Sequence, residues 1–145
     1  MSDALRFLLE AYTHFQNSNY LEAFVLSWLI IEKDTYARWN RYLEEKNIGN
    51  SRKRKLENPS TWTADMIIEQ LSLAGRISSG DYQKLISMKA VRNRIVHRGE
   101  RVSKEQADES LEFAVRIVTE EIVGLDVEHL PRSANSSLDE SHSGK

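Results

Sequence analysis

The most informative stretch of the sequence lies at residues 88–99 and reads MKAVRNRIVHRG. Its apolar residues recur at the helical period of about 3.6 residues, so Met88, Val91 and Ile95 are predicted to share one apolar arc of a helix. Arg92 falls inside the same arc on the helical wheel. A guanidinium group on a buried face needs a partner, so this position predicts either an ion pair or a functional role.

Two further polar residues lie near Arg92 in this stretch. Asn93 and His97 are neighbours at one edge of the apolar arc. Arg92 and His97 are about 140° apart on an ideal helix, so they converge only through the reach of the arginine, through fraying beside Gly99, or across a symmetric interface. Histidine suits proton transfer near neutral pH, and the planar guanidinium suits a developing anion.

The rest of the chain predicts an all-α fold. Only six glycines and two prolines interrupt segments with the helical period. Five helices are predicted, over about residues 3–16, 20–47, 64–74, 82–97 and 103–123. Residues 78–81 are the predicted cap region before the fourth helix, which ends at Arg98 and Gly99, and Ser103 with Gln106 has the form of a capping box for the fifth. Residues 48–62, which include the basic run Arg52 to Lys55, are predicted to form a mobile loop. We expect one domain over residues 1–125 and a disordered tail over residues 126–145.

Composition narrows the function classes. The chain has 145 residues, 40% of them hydrophobic, which suits one compact core, and its formal charge is -2. It has no cysteine, which excludes disulfides, thiolate metal sites and cysteine nucleophiles. The start lacks the pattern of a signal peptide, and the longest apolar stretch, residues 24–31, is far shorter than the ~20 residues of a membrane span. We expect a cytoplasmic protein without a membrane partner.

The second helix contains an acidic residue on its apolar face. Glu32 falls within a stripe that is predicted to be buried and that begins with Leu21, Val25 and Trp28. Removing one partner of a buried ion pair costs about 3–5 kcal/mol, so buried charges are expected in pairs. A contact between Glu32 and Arg92 is our hypothesis, with Glu32 as a supporting residue of the site.

The segment from Arg92 to His97 resembles the Arg-x4-His motif of the HEPN superfamily, the higher eukaryote and prokaryote nucleotide-binding domains. Its position at the end of a late helix, before a glycine turn and a last helix, is similar to that of the family motif. Residues 65–114 resemble family members throughout, and the likeness covers about residues 5–123 without the basic loop. The resemblance implies a small helical bundle that forms a symmetric homodimer.

The resemblance also implies an activity, a metal-independent endoribonuclease with the motifs of both subunits in one cleft. His97 would be the acid and base, Arg92 would stabilise the phosphorane, and Asn93 would hold the phosphate or orient the histidine. RNA, a second copy of the chain, and an antitoxin or larger defence assembly are the implied partners, with no cofactor and no metal. Some HEPN toxins carry a tyrosine two residues after the histidine as a nucleotidylation site, but Gly99 stands there in this chain.

Charge is unevenly distributed along the chain. Residues 84–104 carry seven basic residues against Glu100 alone, a local charge of +6, and the residues from Glu105 onward sum to -7. A basic cluster around the motif favours an RNA backbone as partner. The candidate RNA contacts are Lys89, Arg94, Arg98 and Arg101.

Other readings of the same residues stay open. Arg92 can be purely structural, and a histidine at a helix end can interact only with the terminal carbonyls and the helix dipole. The main alternative function is a catalytically inactive HEPN-like module for RNA binding or assembly. A generic helical adaptor is the third.

Overall fold

The computed structural model describes the backbone of residues 3–128 and the side chains of residues 3–124, and the regular structure in this part of the chain is α-helix with no strand. The all-α prediction is therefore confirmed for this part of the chain. Six helices are present where five were predicted: α1 (Asp3–Gln16), α2 (Tyr20–Glu45), α3 (Asn50–Glu57), α4 (Ala64–Leu73), α5 (Ser79–Arg98) and α6 (Lys104–Glu128).

The additional helix is α3, so the prediction of a loop over residues 48–62 is wrong for its central part. The segment has no apolar period, and a helix of eight residues is too short to be stable alone. Contacts with α2 stabilise it instead. The indole Nε1 of Trp39 donates a hydrogen bond to the carbonyl oxygen of Leu56 at 2.8 Å, and Leu56 packs against the cluster around Trp39.

The helix ends follow the predicted capping residues. Ser103 and Gln106 form a reciprocal capping box, with the backbone N–H of each bonded to the side chain of the other at 3.0 and 3.1 Å. The Ser78 hydroxyl accepts a hydrogen bond from the backbone N–H of Asp81 at the start of α5. Gly99 ends α5 in the left-handed conformation, with φ of 61°.

The core is built around α2, which packs against α1, α4 and α6. Its buried side chains include Phe24, Trp28 and Ile31, and α5 adds Leu85, Met88 and Val91 to the same cluster. A second cluster forms where Trp39 and Leu43 of α2 contact α4 and α3. α5 is thus attached to the bundle from Leu85 to Val91, with the partly buried Ile95 packed against the same cluster, and its last two turns carry the motif.

One apolar face of α2 is covered by other helices along only part of its length. Leu21, Val25 and Leu29, hereafter the α2 stripe, are 43%, 42% and 45% exposed. Burial of Leu21 and Val25 was expected from the helical period, and that expectation is wrong. The apolar period continues through Trp39 and Leu43, but only this C-terminal half of the face is covered by α3 and α4.

The last helix ends later than predicted. α6 continues through Glu128, past the predicted end at Val123. The remainder of the predicted tail, residues 129–145, lies outside the described residues. Within residues 3–128, no helix is long and apolar enough to cross a membrane.

Candidate active site

Arg92 lies on the surface of the C-terminal part of α5 and not in the core. Val91 is the last buried residue of the helix, and Arg92 is exposed although the wheel places it among apolar positions. The reason is that a long arginine side chain can carry its charged end out to water past neighbouring apolar groups. Its Nη1 donates to Oδ1 of the adjacent Asn93 at 3.3 Å, which joins two of the three predicted site residues.

Glu32 and Arg92 do not form an ion pair, so that hypothesis is wrong for the single chain. The Glu32 carboxylate accepts a hydrogen bond from the indole N–H of Trp28, one turn earlier in α2, at 2.9 Å. Trp28 is buried, and a buried indole N–H needs an acceptor. The partner of Glu32 is thus in its own helix, which a search for opposite charges on two apolar faces cannot reveal.

Glu32 instead belongs to a polar cluster between α2 and the start of α4. Burial raises the pKa of Tyr36, with further increases from the negative charges of Glu32 and Asp65, against a hydrogen bond with the backbone of Ala64 that lowers it. Asp65 also forms an ion pair with Lys89 of α5 at 3.0 Å. Sequence reasoning missed Tyr36 and Asp65. The only signal in the sequence was Asp65 itself, an acidic residue in the first turn of the helix predicted over residues 64–74.

His97 lies in the last turn of α5 and is exposed. Within residues 3–124, whose side chains the structure describes, it has no hydrogen-bond or ion-pair partner. Two carbonyls near the helix end are bonded to backbone groups, because the N–H of Gly99 donates to the carbonyl of Ile95 at 3.0 Å and that of Glu100 to the carbonyl of Arg94 at 3.4 Å. The exposed imidazole of His97 makes no hydrogen bond to the helix end, so it can contact a ligand.

Acidic neighbours reduce the basic character of the motif helix. Glu100 forms ion pairs with Arg94 at 3.2 Å and with Arg98 at 3.8 Å, and Lys89 is paired with Asp65. Of the four predicted RNA contacts, only Arg101 has no acidic partner within the described residues. Arg92 also has none there. Positive charge without an acidic partner thus remains at Arg92 and in the turn that follows α5.

The three motif residues lie at one end of α5. Asn93 contacts Arg92, whereas Arg92 and His97 make no hydrogen bond to each other. A cleft of about 570 Å³ lies between α2 and α6, and none of its lining residues belongs to the motif. No group of three or more potential metal ligands occurs among the side chains of residues 3–124.

The groups present can perform acid and base catalysis with electrostatic stabilisation of an anion. An exposed imidazole can accept or donate a proton, and a guanidinium beside an amide can hold a phosphate. Comparisons of the chain with protein-family models, curated proteins and solved structures found no match. A functional assignment therefore depends on the chemistry of Arg92, Asn93 and His97.

Proposed function

We propose that the protein is a metal-independent endoribonuclease of the HEPN type. The observation that carries the proposal is the position of Arg92, Asn93 and His97 at one end of α5, where Arg92 and His97 are exposed, Asn93 is half-buried, and the imidazole of His97 has no hydrogen-bond or ion-pair partner within residues 3–124. The same side chains form the Arg-x4-His pattern. Cleavage of RNA by its own 2′-hydroxyl requires a group that transfers protons and a group that stabilises an anion. His97 can supply the first, and Arg92 with Asn93 can supply the second.

In the proposed reaction, the 2′-oxygen attacks the adjacent phosphorus and the bond from phosphorus to the 5′-oxygen breaks. A proton leaves the 2′-hydroxyl and a proton is added to the 5′-oxygen, and His97 handles one of these transfers. Arg92 stabilises the negative charge of the phosphorane, and Asn93 holds the phosphate or orients the imidazole. The products are a cyclic 2′,3′-phosphate and a 5′-hydroxyl, and no oxidant, metal or cofactor is consumed.

A symmetric homodimer is part of the proposal. Arg92 and His97 make no hydrogen bond to each other within one chain, and a second copy would bring a further arginine and histidine to the same phosphate. The exposed α2 stripe supplies an apolar surface for that contact, since association of two copies removes such side chains from water. Charge is uneven along the chain, and two basic helix ends in one cleft would attract RNA more strongly than one.

The dimer is tested by Val25→Asp in the α2 stripe, with Leu73→Asp as the matched control. Leu73 is 82% exposed on α4, so the control adds the same charge at an exposed leucine outside the stripe. Sedimentation analysis should show a dimer for the parent and for Leu73→Asp, and a monomer without cleavage activity for Val25→Asp. A monomeric parent that cleaves RNA would contradict this part of the proposal.

The reaction is tested on a single-stranded RNA, on DNA of the same sequence, and on RNA with 2′-deoxy substitutions, all in EDTA. Cleavage should occur in the RNA, leave a cyclic 2′,3′-phosphate, and stop at every nucleotide that lacks its 2′-hydroxyl. Cleavage of the DNA, or loss of activity in EDTA, would exclude the proposed mechanism.

A catalytically inactive HEPN-like module for RNA binding or assembly is the second candidate. It is favoured by the lack of any group within residues 3–124 that orients His97. Such a module would bind the RNA and leave it intact, and His97→Ala would not change its behaviour in cells.

The proposed biological setting is a toxin or defence effector acting on cytoplasmic RNA and restrained by an antitoxin or a larger assembly. Expression of the parent chain should then inhibit growth. Arg92→Ala and His97→Ala should each relieve the inhibition at equal protein levels. Equal growth with all three chains would exclude a toxic ribonuclease.

A further inference from the structure

The short helix α3 has one ion-paired side and one basic side. Lys53 forms ion pairs with Glu44 of α2 at 3.6 Å and with Glu57 at 3.7 Å. Arg52, Arg54 and Lys55 are exposed and have no acidic partner within the described residues. At about 100° per residue these three cations occupy an arc of about 160° that excludes both Lys53 and Glu57. We refer to Arg52, Arg54 and Lys55 as the α3 cations.

The α3 cations are kept together on an ordered helix at an electrostatic cost. Like charges within one or two helical turns repel each other, and this helix is too short to be stable alone. Its position depends on Leu56, which packs beside Trp39 and whose carbonyl accepts the indole hydrogen bond. Arg38, Arg76 and Arg116, by contrast, have carboxylate partners. The α3 cations are therefore suited to a partner with several negative charges.

α3 lies on the same side of α2 as the polar cluster of Glu32, Tyr36 and Asp65, which contacts the motif helix α5 through Asp65. Trp39, which anchors α3, is about 20° around α2 from Trp28 and Glu32, and about 10 Å along the axis from Glu32. Trp62 stacks on Trp39 with ring centroids 5.3 Å apart, and α4 begins just after it. The first turn of α4 then binds α5 through the ion pair between Asp65 and Lys89. Lys89 is one helical turn before Arg92.

We propose that the α3 cations form a second binding site for the phosphate backbone of single-stranded RNA, away from the scissile phosphate. The helix would hold a neighbouring part of the same strand and contribute affinity without base specificity. The identification of the polyanion as RNA rests on the proposed function. The chemistry itself requires only a chain of phosphates near three exposed cations.

The test compares RNA binding by full-length chains that carry His97→Ala, so that the RNA stays intact. The α3 variant is R52A/R54A/K55A. The matched control, R6A/K33A/R41A, removes the same charge from exposed positions of α1 and α2. Fluorescence anisotropy with a labelled oligouridine is measured between 50 and 300 mM salt, and circular dichroism verifies folding. If R52A/R54A/K55A unfolds, the single variant R54Q replaces it, because Arg54 faces away from the packed side of Leu56.

Each phosphate contact with single-stranded nucleic acid contributes about 0.7 to the slope of log K against log salt, so three contacts contribute about 2. The α3 variant should therefore show a slope less steep by about 2 and binding about 10- to 100-fold weaker at 0.1 M salt. R54Q removes one of the three cations, so its slope should be less steep by about 0.7, one third of the change in the α3 variant. The control should retain the slope of the His97→Ala parent.

The remaining outcomes separate this inference from the proposed function. If the wild type cleaves RNA but the α3 variant binds like its parent, the inference is overturned and the ribonuclease remains. Equal losses in the α3 variant and the control would also overturn it, because only net charge would matter. Binding that depends on α3 without any cleavage by the wild type would support the inference and overturn the enzyme. A wild type that neither binds nor cleaves RNA would overturn both.

Discussion

Replacement of Gly99 tests how the end of the motif helix is stabilised. Gly99 has φ of 61°, and a Cβ atom built there meets nothing within 4 Å. The cost of Gly99→Ala is thus conformational and not steric. The left-handed conformation costs an L-residue about 1–2 kcal/mol, and the smaller entropy of the unfolded alanine chain adds to stability by about 0.4–1 kcal/mol where no strain exists. We expect a net loss of about 1 kcal/mol.

The assay is urea unfolding followed by circular dichroism at one fixed protein concentration. With a slope of about 2 kcal/mol per molar urea, the midpoint of Gly99→Ala should fall by about 0.5 M. Gly99→Asn should lose less, because asparagine tolerates the left-handed region.

The same glycine-to-alanine change at the other end of α5 provides a control with the opposite sign. Gly80 lies in the first turn, and a Cβ atom there also meets nothing within 4 Å. Alanine is the better helix former by up to about 1 kcal/mol, so Gly80→Ala should raise the midpoint. A midpoint for Gly99→Ala at or above that of the wild type would refute the proposed conformational cost.

Three further predictions concern α2. Glu32→Ala should lower the free energy of unfolding by about 1–3 kcal/mol, because the buried indole N–H of Trp28 loses its acceptor, whereas Glu32→Gln should lose less; both are measured by urea unfolding. The pKa of Tyr36 is raised in the folded chain above its ordinary value of 10.0. The contribution of Tyr36 to stability is therefore present below pH 10.0 and is lost as the pH rises above that value. Tyr36→Phe should make the fall of the unfolding free energy at alkaline pH less steep. Trp39→Phe removes the hydrogen bond to Leu56, and hydrogen exchange should become faster in α3 while that of α1 stays unchanged.

Local sequence signals predicted most of the helices and their ends. α1 spans the predicted residues, and the Ser103 box and the stop at Gly99 occur as expected, because capping depends on residues within a few positions of each other. α3 could not be predicted in the same way. Its order depends on Trp39 and Leu56, which are far apart in the chain and meet only in the folded bundle.

The candidate site was predicted correctly only where it depends on residues close together in the sequence. The positions of Arg92, Asn93 and His97 on one helix end follow from their spacing, and the contact between Arg92 and Asn93 needs only adjacent residues. The partner of Glu32 was predicted wrongly, because helical periodicity shows which face a side chain is on and not which atom it reaches. Exposure of the α2 stripe was equally unpredictable, since it depends on where α4 stops covering α2.

RNA cleavage by His97→Ala and His14→Ala, compared with the wild type in EDTA, is the most direct measurement of the proposed activity. His14 lies in the last turn of α1, so the control removes another histidine from a helix end away from the motif. We expect His14→Ala to cleave like the wild type and His97→Ala to lose at least about 100-fold in rate, as removal of a general acid or base does, while both remain folded. Equal cleavage rates for all three chains would contradict a catalytic role for His97.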